Sequence, residues 1–93
     1  MSLSPNERIQ GSWEVIGATG AMSDLNKGTR YIFQGQDLTT SNGIEIKGQF
    51  KVNDSTIIWV LPNMEMNYTY RFEGEQLIIE PLNSGQILTL EKQ

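Results

Sequence analysis

What most constrains this chain is the spacing of its turn signals. Glycine or Asn-Gly recurs at Gln34-Gly35-Gln36, Ser41-Asn42-Gly43 and Glu73-Gly74-Glu75, where a tight hairpin needs a residue that tolerates positive φ. Asn53-Asp54-Ser55 and Asn83-Ser84-Gly85 bring Asx-type turn chemistry to the same task. Turns therefore arrive roughly every 8–12 residues with short β-rich runs between them, the rhythm of a β-sandwich or barrel. Connections this short make sequential neighbours pair antiparallel. The predicted strands are Ser12–Thr19, Thr29–Gln34, Asp37–Ser41, Ile44–Val52, Thr56–Leu61, Met66–Glu73, Gln76–Glu80 and Gln86–Glu91. The expected fold is all-β, an up-and-down antiparallel meander of about eight strands.

Two segments show which face is packed. Ile44, Ile46, Gly48, Phe50 and Val52 alternate with Glu45, Lys47, Gln49 and Lys51. Met64, Met66, Tyr68, Tyr70 and Phe72 alternate with Glu65, Asn67, Thr69, Arg71 and Glu73. One wet face and one packed face is what an antiparallel sheet closing over its own core requires. Gly48, in mid-strand, marks a bend or a close approach. Ile57-Ile58-Trp59-Val60-Leu61 breaks the alternation and is apolar on both faces. Either a loop or a partner chain covers its outer face, or the face is an exposed apolar patch with a binding role. Tyr31-Ile32-Phe33-Gln34-Gly35-Gln36-Asp37-Leu38 repeats as Tyr70-Arg71-Phe72-Glu73-Gly74-Glu75-Gln76-Leu77, which pairs aromatics, a glycine turn and a returning Leu. The longest connection, Gly20–Gly28, holds Met22 and Leu25, which could close one end as a flap.

Composition excludes most chemistry. The 93 residues make one domain, with residues 1–8 as an N-terminal tail and residues 9–93 as the domain proper. There is no cysteine and no histidine. Disulfides, thiolate nucleophiles, zinc-thiolate sites and histidine-based catalysis or metal binding are thereby removed, and neither a metal nor another cofactor is expected. Net charge is −4, and the seven Lys and Arg are scattered, so the clustered cations that bind nucleic acid are missing. The carboxylates fall mostly in turns or on outward positions, with no spacing that suggests a hydrolytic pair. No run reaches the roughly 18–20 apolar residues of a membrane span, and Met1-Ser2-Leu3-Ser4-Pro5-Asn6-Glu7-Arg8 lacks a leader's apolar core. The chain is cytoplasmic as written, or a mature secreted or periplasmic domain whose leader has been removed.

Ile9-Gln10-Gly11-Ser12-Trp13-Glu14-Val15 resembles the Gly-x-Trp opening of the calycin and lipocalin-like families. The hairpin sequences Gly48–Ile57 and Tyr68–Leu77 are similar in style to the short bacterial lipocalin-like domains, and the likeness runs from about Ile9 to Glu91. It implies a small lipocalin-like β-barrel, with Trp13 plugging a closed end. It also implies a basic residue of the last strand packed over that Trp, for which Lys92 is the one available. The chain is shorter than a full lipocalin and lacks its C-terminal helix and disulfide.

The functional expectation is a non-catalytic binding domain for a small hydrophobic ligand at the open barrel end, near Gly20–Gly28. The candidate ligand-binding residues are Trp59, Met64, Met66, Tyr68 and Tyr70, an aromatic and thioether set suited to an apolar pocket. The same set would equally serve as core, because eight strands enclose an interior just wide enough for side chains to fill. The alternative is a protein-interaction or structural module, including a homodimer, that uses the apolar strand Ile57–Leu61 or a sheet edge.

Overall fold

In a computed structural model of the chain, which describes residues 4–20, 27–82 and 85–93, a short helix precedes eight strands. These are α1 (Pro5–Ile9), β1 (Gly11–Ala18), β2 (Arg30–Gln34), β3 (Asp37–Ser41), β4 (Glu45–Val52), β5 (Thr56–Leu61), β6 (Met64–Glu73), β7 (Gln76–Pro81) and β8 (Leu88–Lys92). Each strand pairs antiparallel with the next, and β8 returns to β1, so the meander closes into a barrel. The expected all-β architecture is the one that forms. Because the barrel closes, every described strand has a paired neighbour on each side.

The turns behave as their residues dictate. Gly35 and Gly74 both sit at φ +62, and their hairpins set Phe33 opposite Leu38 and Phe72 opposite Leu77. The sequence repeat is thus a repeat of hairpin geometry. Alternation then sends Trp13, Val15, Phe33, Leu38, Phe50, Ile57, Leu77, Leu88 and Leu90 into one buried core. In β5, Ile57 and Trp59 face inward and are buried, whereas Ile58 and Val60 lie half-buried on the outside. Cross-strand neighbours flank those two, Lys51 and Asn67 beside Ile58, Gln49 and Glu65 beside Val60.

The two ends of the barrel differ. One carries the start of β1, the β2–β3, β4–β5 and β6–β7 turns and the end of β8. Helix α1 closes it. Ser4 caps the helix by accepting from the Glu7 amide, while the Glu7 carboxylate accepts from the Ser4 amide. That carboxyl is held below its usual range by the same contacts. Five residues are too few for an independent helix, so packing must hold it. Ile9 is completely buried, and its carbonyl accepts from Trp13 Nε1 at 2.8 Å. The Gln10 amide makes two bonds to the Gly35 backbone, at 2.7 and 2.9 Å. The Arg8 guanidinium lies 4.1 Å from the Phe72 ring centre. The segment read as a tail therefore ends, in its described part, as this lid. Gly11 suits its place because its φ of +121 is one that L side chains rarely adopt.

The opposite end carries the β3–β4 and β5–β6 turns and the connections from β1 to β2 and from β7 to β8. Residues 21–26 of the first connection, with Met22 and Leu25, and residues 83–84 of the second lie outside the described residues.

Candidate functional site

At the open end the inward alternation outruns the packed interior. On β4 and just before it, Phe50 is buried, but Ile46 is 47% exposed and Ile44 is 75% exposed. On β6, Tyr70 and Tyr68 are buried, Met66 is half-buried and Met64 is 54% exposed. Leu61, paired with Met64 across a two-residue turn, is half-buried on the intervening strand. Three adjacent strands thus carry their core face up into solvent, forming an apolar lip of Ile44, Ile46, Leu61, Met64 and Met66. Exposed apolar surface forgoes about 25 cal/mol per Å² of burial, which makes such a cluster informative.

Trp59 lies beneath this lip. Its indole Nε1 donates to the Leu38 carbonyl on β3 at 3.1 Å, so the ring reaches across the whole width of β4. Gly48 makes the crossing possible. A Cβ there would fall 2.5 Å from the Val60 carbonyl oxygen, 2.8 Å from Leu61 Cδ2 and 2.9 Å from Trp59 Nε1. The mid-strand glycine is a close-approach site, and Trp59 is ordinary buried core that also floors the lip.

The tyrosines divide. Tyr68 is 4% exposed, and its hydroxyl turns toward the open end, where it donates to Met66 Sδ at 3.7 Å. Tyr31 on β2 is also buried, and burial raises its hydroxyl pKa from 10 to about 12. Tyr68 is raised by burial and then by Tyr31. Tyr70 turns the other way and donates a short hydrogen bond to the Asn53 carbonyl in the β4–β5 turn. Its pKa is raised too, chiefly by burial.

Of the five sequence candidates, Met64 and Met66 stand on the lip, Trp59 and Tyr68 lie directly below it, and Tyr70 belongs to the closed end. Sequence reasoning passed over Ile44, Ile46, Leu61 and Tyr31. The first two were legible in the period-2 pattern that runs down to Phe50. Leu61 was hidden in the doubly apolar run, and Tyr31 in the hairpin repeat.

Charge stays on the outside. Glu14 and Arg30 approach to 3.7 Å, Asp37 and Lys47 to 4.0 Å, and Arg71 and Glu73 to 2.6 Å, all on exposed strand faces. Among the described residues no group of three Asp or Glu converges as a metal site, and no helix is long and apolar enough to cross a membrane. An outer groove of about 500 Å³ runs beside Gln36, Gln49 and Val60. A closed-end cleft of about 510 Å³ lies between Arg8, Trp13, Phe72 and Lys92. Trp59, Met64, Met66 and Tyr68 line neither. Set against protein-family models, curated proteins and solved structures, the chain matches none.

Proposed function

We propose that the protein is a lipocalin-like domain that binds a small apolar molecule at the open end of its barrel and catalyses no reaction. One observation carries this reading, the continuation of the core face of β4, β5 and β6 into an exposed lip above Trp59. A ligand on Ile46, Leu61, Met64 and Met66 would complete the burial that the opposite end achieves with α1. Methionine suits such a surface because its side chain adapts to the shape it meets. The lipocalin-like assignment draws support from Gly11-Ser12-Trp13 and from Lys92, whose Nζ lies 5.5 Å from the Trp13 ring centre in the place the resemblance implies. Carboxylates paired with Arg or Lys on the outer face favour carriage over chemistry. The competing interaction module would use a sheet edge or the outer face of β5, where Ile58 and Val60 are half-buried while Ile44, Ile46 and Met64 of the lip are exposed.

Native mass spectrometry and titration with Nile red test this directly. One dye molecule is expected per chain, and Ile46→Asp or Met64→Asp should weaken binding at least tenfold, since a charge would replace apolar contact. Dye that fails to bind, or binds equally well to both variants, sinks the proposal.

A further inference from the structure

We infer that the open end of the barrel docks on a neutral, zwitterionic phospholipid surface, where Ile44, Met64 and Leu82 enter the apolar layer beneath the headgroups. The two ends differ in what their turns present. At the closed end the tips are Gln34-Gly35-Gln36, Asn53-Asp54-Ser55 and Glu73-Gly74-Glu75, all polar or glycine. At the open end the β3–β4 turn, the β5–β6 turn and the start of the β7–β8 connection each carry an apolar side chain into solvent. Ile44 follows Asn42-Gly43, and Met64 follows Pro62-Asn63. Leu82 comes directly after β7 and is 59% exposed, and its amide donates to the Asn67 carbonyl at 2.9 Å, which fixes the backbone there against β6. Ile87, just before β8, is exposed as well. Of the exposed large apolar side chains among the described residues, only Ile16, on β1, lies away from these turns and the lip.

The chemistry around the tips selects the occupant. Single apolar side chains on separate tips, with polar turn residues between them, do not make the continuous apolar centre of a protein interface. A fluid lipid layer accepts separate points, and partly inserted apolar side chains hold peripheral proteins to it. Charge then decides between the remaining occupants. Glu45 adjoins Ile44 and Glu65 adjoins Met64, and neither pairs with a cation among the described residues. Lys47 approaches Asp37 on β3 at 4.0 Å, and Lys27 is already engaged. An anionic leaflet attracts clustered cations, and a chain of net charge −4 with two free carboxylates at its rim is repelled by one. A second copy docked end to end would bring Glu45 and Glu65 of both chains around one contact, where like charges are costly. Choline and ethanolamine headgroups instead carry their ammonium groups outermost, where the two carboxylates meet them while the tips pass to the acyl layer below. The inference rests on the open end being uncovered, as the ligand site does, but it requires no ligand, and Leu82 lies outside the lip.

Flotation with vesicles of phosphatidylcholine, and with vesicles enriched in phosphatidylglycerol, tests this with no dye present. The protein should partition onto the neutral vesicles and several times less onto the anionic ones. Leu82→Asp should weaken that partitioning roughly fivefold or more, because one tip loses its apolar transfer energy and gains a charge. The same variant should keep its Nile red affinity. Gln36→Asp adds the same charge at the closed end and should leave partitioning unchanged. Equal or tighter binding to the anionic vesicles, or undiminished binding by Leu82→Asp, overturns the inference. So does a concentration-dependent dimer in sizing chromatography that Leu82→Asp abolishes, which would give the surface to a second copy. If vesicles fail to bind while Nile red binds, the docking falls and the ligand site stands. If neither binds, both readings of the open end fall.

Discussion

Tyr68 and Tyr70 stand two residues apart on one face of β6, and they show how differently the barrel treats its ends. Tyr70 reaches the Asn53 carbonyl, Trp13 reaches the Ile9 carbonyl, and cations lie over the Phe72 and Trp13 rings. At that end each of these donors has an oxygen and α1 covers what the strands leave open. At the other end Tyr68 donates to the Met66 sulfur, and Ile46 and Met64 are half exposed. The same strands and the same alternation supply both ends, so strand chemistry does not make the difference. Completion does. Where the described residues complete their own packing they are structural, and where an apolar face runs on into solvent a ligand has something to gain.

The largest effects that could break this contrast are at the two tryptophans. Trp13 plugs the closed end and Trp59 floors the open one, but both are buried and both donate to a backbone carbonyl. Trp13→Ala and Trp59→Ala should each cost about 3–5 kcal/mol in chemical denaturation, the usual range for emptying a packed aromatic site. The sequence marks Trp59 as a candidate ligand-binding residue on a run apolar on both faces, whereas its burial makes it core. If Trp59→Ala costs much less than Trp13→Ala, the lip has no rigid floor, and its residues should then be read as a loosely packed rim.

That revision marks where sequence reasoning stops. Glycine and Asx chemistry located the hairpins, and alternation assigned faces correctly along β4 and β6. The contact between Trp59 and Gly48 depends on the register of three strands, which no local pattern encodes. Alternation gives a side chain's face but not its lean along the strand, so Tyr68 and Tyr70 read alike and end apart. Helix α1 did leave a trace, since Ser4 and Glu7 have the spacing of a capping box. Five residues offer no helical periodicity to confirm it. At β8 the turn signal Asn83-Ser84-Gly85 sets the expected start at Gln86, but the strand begins at Leu88, two residues later, and runs on through Lys92.

A second effect, of intermediate size, is alkaline. The ordinary tyrosine value is 10, and the fold raises Tyr31 to about 12 by disfavouring the charged phenolate. The stability held in that shift is complete below pH 10 and is lost as pH rises through about 12. Two units correspond to about 2–3 kcal/mol, and Tyr68 acts in the same direction. Denaturation at stepped pH should show this loss, and Tyr31→Phe should flatten it. All three tyrosines are raised, so little tyrosinate absorbance should develop near pH 10 while the protein stays folded. Full titration at pH 10 of the folded protein would mean that these hydroxyls are wet, which removes the basis for calling them buried.

The smallest expected effect separates the two ends most sharply, because it asks for no change at all. Ile46→Ser and Met64→Ser remove apolar side chains that are already about half in water. Exposed substitutions away from caps, special backbone and buried pairs usually stay within about 0.5 kcal/mol. Both variants should therefore unfold at nearly the same denaturant concentration as the parent and lose Nile red affinity severalfold. Phe72→Ser is the matched control at the closed end, where the ring sits under Arg8 and against Trp13 and Tyr70. It should lower stability clearly and, in whatever fraction remains folded, leave dye affinity unchanged. If the lip variants destabilise the protein as much as Phe72→Ser does, Ile46 and Met64 support the fold in solution, and the open end is a closed one like its opposite.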